Sequence, residues 1–96
     1  MIIGSCKIKL EIAWAESLKD KRSVVKSLVS KISSKFKVSI AEVEEQDNRN
    51  VAVLGIAYVS NDSRLIESVF EKIIKLIDQN SEAEILNIKE DKIFIE

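Results

Sequence analysis

The chain contains no histidine and no proline, and it has one cysteine, two glycines and few aromatic residues. Each shortage removes a class of function. Without histidine the commonest general base and the commonest metal ligand are missing. With only Cys6 beside it, thiolate and imidazole metal sites are excluded, and so is an internal disulfide, which fits a reducing, cytoplasmic setting. The two glycines, Gly4 and Gly55, lie too far apart to build a phosphate-cradling loop. The lack of proline and the scarcity of glycine leave no linker or low-complexity tract. The opening "MIIGSCKIKLEI" lacks the basic and apolar regions of a signal peptide, and no run reaches the length of a membrane span. Carboxylates are plentiful, yet none lies in an apolar setting that would tune it for catalysis. These residues point to a non-enzyme that needs neither cofactor nor metal and has no membrane partner.

What the chain does have is apolar patterning. Its 96 residues are 46% hydrophobic, enough for the core of one domain spanning 1–96. From Ile2 to Trp14 the even positions read Ile, Gly, Cys, Ile, Leu, Ile, Trp, the period of a strand with one buried face. That phase makes Cys6 a buried structural thiol. Ser17 stands three residues before Asp20, the spacing of a capping box, and Val25, Leu28, Val29, Ile32 and Phe36 follow as a helical stripe. "KVSIAEVEE" reads as a second strand, "QDNRN" as a turn, and "VAVLGIAYVS" as a central strand apolar on both faces. Asn61 or Asp62 caps a second helix, whose stripe is Leu65, Ile66, Val69, Phe70, Ile73 and Ile77. "AEILNIKEDKIFIE" reads as two short strand-like pieces, or one strand broken near Glu90–Asp91 by a bulge or turn, leaving room for an extra C-terminal strand. The order predicts an α+β fold, a ferredoxin-like βαββαβ sandwich with an antiparallel sheet and both helices on one face. The opposite face carries one aromatic, Tyr58, so it is no base-stacking platform. Its apolar third strand predicts a cover, from the C-terminal segment or from a second subunit in a homodimer.

Charge is distributed unevenly. Residues 1–41 hold nine Lys and Arg against three acids, and residues 42–96 hold six against thirteen. The basic excess centres on "SLKDKRSVVKSLVSKISSKFK" (17–37), where Lys19, Arg22 and Lys26 share one helical flank and Ser23, Ser27, Ser30 and Ser34 form the crest. The acids that usually interleave with such residues are missing, the pattern of a surface for an anionic partner. Lys21 differs, because its helical angle places it within the apolar stripe, where its stem would snorkel over the core edge. Glu42, Glu44, Glu45 and Asp47 read as a solvated hairpin.

The stretches "SLKDKRSVVKSL" (17–28), "VSIAEV" (38–43), "QD" (46–47) and "AVLGIAYVSND" (52–62) resemble the YlxP-like family of small bacterial proteins of unknown function. The matched positions are Ser17, Leu18, Lys19, Lys21 and Arg22, with Asp20 standing for a glutamate, then Ser39, Ala41, Glu42, Gln46, Asp47, Gly55, Ser60, Asn61 and Asp62. The resemblance implies a ferredoxin-like fold. It also implies an RNA or ribosome connection, through genes that lie beside those for translation and ribosome maturation. Many relatives carry an aromatic in the hairpin turn where this chain reads Asn48, Arg49, Asn50, so the resemblance implies that Arg49 takes over any contact made there. The sequence therefore predicts a non-enzymatic module that binds structured RNA or a ribosomal particle through Lys19, Lys21, Arg22, Lys26 and Arg49. Its alternative is a homo-oligomeric sensor or adaptor with no nucleic-acid role, binding a protein or small ligand, its basic helix meeting the acidic half of a neighbour.

Overall fold

A computed structural model describes residues 1–80 and 82–96. The elements run β1 (Ile2–Glu11), α1 (Leu18–Lys35), β2 (Ser39–Glu44), β3 (Val51–Ser60), α2 (Ser63–Asp78) and β4 (Glu84–Phe94). The four strands form one antiparallel sheet in the order β2-β3-β1-β4. Helix α1 lies over β2 and β3, and α2 over β3, β1 and β4. This is the expected ferredoxin-like βαββαβ arrangement.

The period of two in β1 is realised as predicted. Ile2, Gly4, Cys6, Ile8 and Leu10 are buried against the helices, while Ser5 and Lys9 face outward into solvent. Helix α1 starts at Ser17, whose hydroxyl accepts from the Asp20 amide at 3.1 Å, and the Asp20 carboxylate accepts from the Glu16 amide at 3.0 Å. One of the helix's orphan donors, the Asp20 amide, and the Glu16 amide just ahead of the cap are thereby occupied. In α2 the cap is Asp62, which accepts from the Arg64 amide. The buried stripe of α2 is Ile66, Val69, Phe70, Ile73 and Ile77; Leu65 lies off it and is exposed.

Four expectations are corrected. The strand period does not extend to Trp14: β1 ends at Glu11, and Trp14 is exposed in the following turn, its indole N–H donating to the Glu82 carbonyl. The last segment is one strand, β4, with no break at Glu90–Asp91 and no extra C-terminal strand; its irregularity falls at Leu86, where Lys9 pairs with Asn87 but Leu10 pairs with Ile85. Because β4 is an edge strand, its polar run tolerates solvent on both sides without ending the strand. Tyr58 stands opposite Gly4, hence on the helix side, where it packs against the core. The C-terminal segment therefore forms the sheet edge rather than covering the open face. On that face Val53 is nonetheless 2% exposed, lying between its register partners Lys9 and Glu44.

Candidate functional site

Helix α1 and the β2–β3 loop (45–50) meet at one end of the molecule, and Lys21 joins them. Its side chain is fully buried, with Nζ 2.8 Å from the Glu45 carbonyl and 3.2 Å from those of Gln46 and Val51. An ammonium has three donors, and three carbonyls take them. The Glu42 carboxylate supplies the balancing charge, with Oε2 2.9 Å from Nζ as an ion pair off the donor directions. Within this loop Glu45 adopts a left-handed backbone with φ 62°, which aids in turning two successive carbonyls onto one cation. Lys21 is thus a clamp, and its expected role in touching an anionic partner is corrected: a side chain with no exposed surface cannot reach one. Glu42 is likewise part of this clamp rather than of a solvated hairpin.

Asn50 forms a second tie. Its side-chain amide donates to the carbonyls of Ile12, Ala13 and Ala15 at 3.0, 3.4 and 2.9 Å, and its backbone carbonyl accepts from the Ile12 amide at 2.7 Å. The β1–α1 connection is thereby held to the start of β3. The sequence marks Asn50 only as a turn former; its spatial partners come from the β1–α1 connection, 35 to 38 residues earlier.

The ties place Arg49 at the head of α1. Its guanidinium donates to the Glu16 carbonyl at 3.3 Å, one residue before the helix cap. Lys19, Arg22 and Lys26 are all exposed along α1, as are Lys31 and Lys35 and the serine crest. Among the described residues none of these α1 cations is paired with a carboxylate, whereas Lys7, Lys21 and Lys92 are. The structure therefore brings Arg49 to the end of the helix that bears Lys19, Arg22 and Lys26, and withdraws Lys21 from the group.

The remaining polar features are of other kinds. On the open face Lys7 pairs with Glu44 at 2.7 Å, and this bond, then the charges of Lys7, Lys89 and Lys9, hold the Glu44 carboxyl below its ordinary range. Cys6 is buried on the helix side of β1; burial, then the nearby Glu90 charge, pushes its thiol from an ordinary value of 9.0 up to about 11. The neutral thiol is thus favoured in the folded state. Its contribution to stability is complete below pH 9.0 and is lost as the pH rises toward 11. Native protein at pH 8 should react with iodoacetamide at least about a hundredfold more slowly than denatured protein. Equal rates would place Cys6 at an accessible surface. Among the described residues no group of three or more Cys, Asp or Glu converges as a metal site.

Comparison with known proteins gives a family and a fold. A family model described as "Protein of unknown function (DUF503)" matches residues 3–90. The chain is 35% identical over 83 residues to the uncharacterized protein YlxP of Bacillus subtilis (strain 168), covering 86% of this chain and 90% of that protein. A designed protein with a ferredoxin fold superposes with a TM-score of 0.55 at 16% identity, over 90% of this chain and 82% of its own. A dimeric ferredoxin-like protein from an uncultured marine organism superposes with a TM-score of 0.52 at 12% identity, over 100% of this chain and 99% of its own. At such identities the two structures speak for the fold alone.

Proposed function

The chain belongs to the DUF503 family of proteins of unknown function, and on that premise we propose that it is a non-enzymatic, cytoplasmic module that binds structured RNA or a ribosomal particle. The observation that carries this reading is the exposed basic flank of α1, Lys19, Arg22 and Lys26, without carboxylate partners among the described residues. Arg49 extends it around the helix head. Lysines act on phosphates as point charges, and Arg22 adds a planar fork that can hold one phosphate by two bonds. The exposed serine crest beside them lets a sugar–phosphate backbone approach closely. No described helix is long and apolar enough to cross a membrane.

The test is the triple variant Lys19→Gln, Arg22→Gln, Lys26→Gln in a binding assay with ribosomal RNA and ribosomal subunits. Affinity should fall, and the slope of log affinity against log salt should flatten by roughly 2–3, since each phosphate contact contributes about 0.7–0.9. Lys72→Gln with Lys75→Gln, on α2, should leave both unchanged. A triple variant that binds like the wild type overturns the assignment.

A further inference from the structure

Strand β4 leaves one side of its backbone unpaired. It is 11 residues long, pairs with β1 on its inner side, and forms the edge of the sheet. Such an edge is a template for another strand unless something blunts it. Proline, one of the usual means, is absent from the chain. Charge, another, is present in "KEDK" (89–92), but in an order that complements itself. Exposed apolar side chains also collect at one end of this edge. Met1, Ile93, Phe94 and Ile95 are 60%, 52%, 67% and 43% exposed, and Val59, two strands inward on β3, is 59% exposed. The register brings them together: Ile3 stands opposite both Val59 and Ile93, and the Ile95 amide donates to the Met1 carbonyl.

We infer that a second copy of this chain pairs antiparallel with β4, edge to edge, joining two four-stranded sheets into one of eight strands. The side chains select the register. With the Asp91 residues of the two copies facing each other at the two-fold axis, Glu90 of each stands opposite Lys92 of the other, twice over. Ile88 of each stands opposite Phe94 of the other, also twice. All four residues lie on the helix side of the sheet, given that Cys6, Gly4, Ile8 and Ile2 pair with Glu90, Lys92, Ile88 and Phe94. The two Asp91 carboxylates meet on the open face, each with a Lys89 of the other copy one diagonal position away. A shift of one residue in either direction pairs helix-side with open-face positions and so turns the second copy over, and in one direction it also sets Lys89 against Lys92 and Glu90 against Asp91, like against like. Placing Glu90 on the axis instead keeps two unlike-charge pairs, Lys89 with Asp91, but sets Ile88 against Lys92 and loses both Ile88–Phe94 pairs, so the apolar contacts decide between these two registers. A depression of about 490 Å³ between α2 and this edge, lined by Glu67, Phe70, Glu90, Asp91, Lys92 and Phe94, gives the other strand's residues a place to pack.

The pairing uses a surface separate from the basic helix. Because α1 lies over β2 and β3, the far side of the sheet, the dimer carries one α1 surface at each end. An edge contact through a single strand belongs with small, transient interfaces, so a weak and reversible association is expected.

Sedimentation equilibrium of the full chain across a concentration series tests this. The wild type should show a monomer–dimer equilibrium. Glu90→Lys and Lys92→Glu should each weaken it at least about tenfold, and the two together should restore it to within about threefold, since the swap re-forms both pairs in this register alone. Lys92 also contacts Glu67 and Ser63 within the chain, so Glu90→Lys, at an exposed position, carries the test by itself if Lys92→Glu does not fold. Phe94→Lys should abolish dimerisation. A monomer at every concentration overturns the inference, and so does a dimer indifferent to Glu90→Lys or one the double swap does not rescue.

Discussion

Replacing Lys21 by alanine should destabilise the protein by about 3–5 kcal/mol, the usual consequence of removing one member of a buried ion pair. Three losses coincide. The Glu42 carboxylate, on a side chain 18% exposed, is left without its cation. The carbonyls of Glu45, Gln46 and Val51 lose their common donor. The space filled by the lysine stem is emptied beneath α1. Lys21→Met keeps most of that volume and should lose less, about 2–3 kcal/mol, from the orphaned polar groups. Adding Glu42→Gln to Lys21→Met should recover part of the loss, because the uncompensated charge is then gone. Urea unfolding at neutral pH measures all three. A Lys21→Ala variant within about 1 kcal/mol of wild type, the range of an exposed ion pair, would mean that the clamp described here does not form in solution. The effect should also reach Arg49, whose place at the head of α1 depends on the same loop.

The second large effect is expected at Gly4. A side chain here points at α2: an added Cβ would overlap Ile66 Cγ2 and come 3.1 Å from two ring atoms of Phe70. Gly4→Val should therefore cost about 3 kcal/mol or more, and Gly4→Ala about 1–3 kcal/mol, despite the gain from removing a flexible residue from a strand. The cause is identified by a double-mutant cycle. In an Ile66→Ala background the overlap is relieved, so Gly4→Ala should be tolerated there far better than in wild type. Additive effects at the two positions would show that the glycine is required for another reason. Gly55 answers to a different neighbour, since a Cβ there would lie 2.8 Å from Val43 Cγ1, on the open face.

Much of this was legible in the sequence wherever one face of an element is buried and the other wet. The alternation of β1, the Ser17–Asp20 cap and the stripe of α2 each carry a period that a single phase explains. Where both faces are apolar the phase disappears, so the sequence puts Tyr58 on the open side of β3, and only its pairing with Gly4 places it on the helix side. Where both faces are polar the element itself is hard to see, as in β4, whose charged centre resembles a turn. Lys21 lies between these cases. Its helical angle marked it as out of place on a wet flank, but its partners come from a hairpin more than twenty residues away, and no local pattern predicts a cation satisfied by three carbonyls. Asn50 is hidden from a sequence reading for the same reason, since its partners lie 35 to 38 residues away. The basic flank needed no tertiary information, and Lys19, Arg22 and Lys26 are exposed as their spacing required.

Binding of RNA by this surface is tested most directly by equilibrium binding of the wild-type protein to ribosomal RNA and to intact subunits across a salt series. Contacts from Lys19, Arg22, Lys26 and Arg49 predict that log affinity falls linearly with log salt, with a slope of roughly −3 to −4. No binding at the lowest salt, where attraction to phosphate is strongest, would contradict the account and leave α1 as a solvated helix.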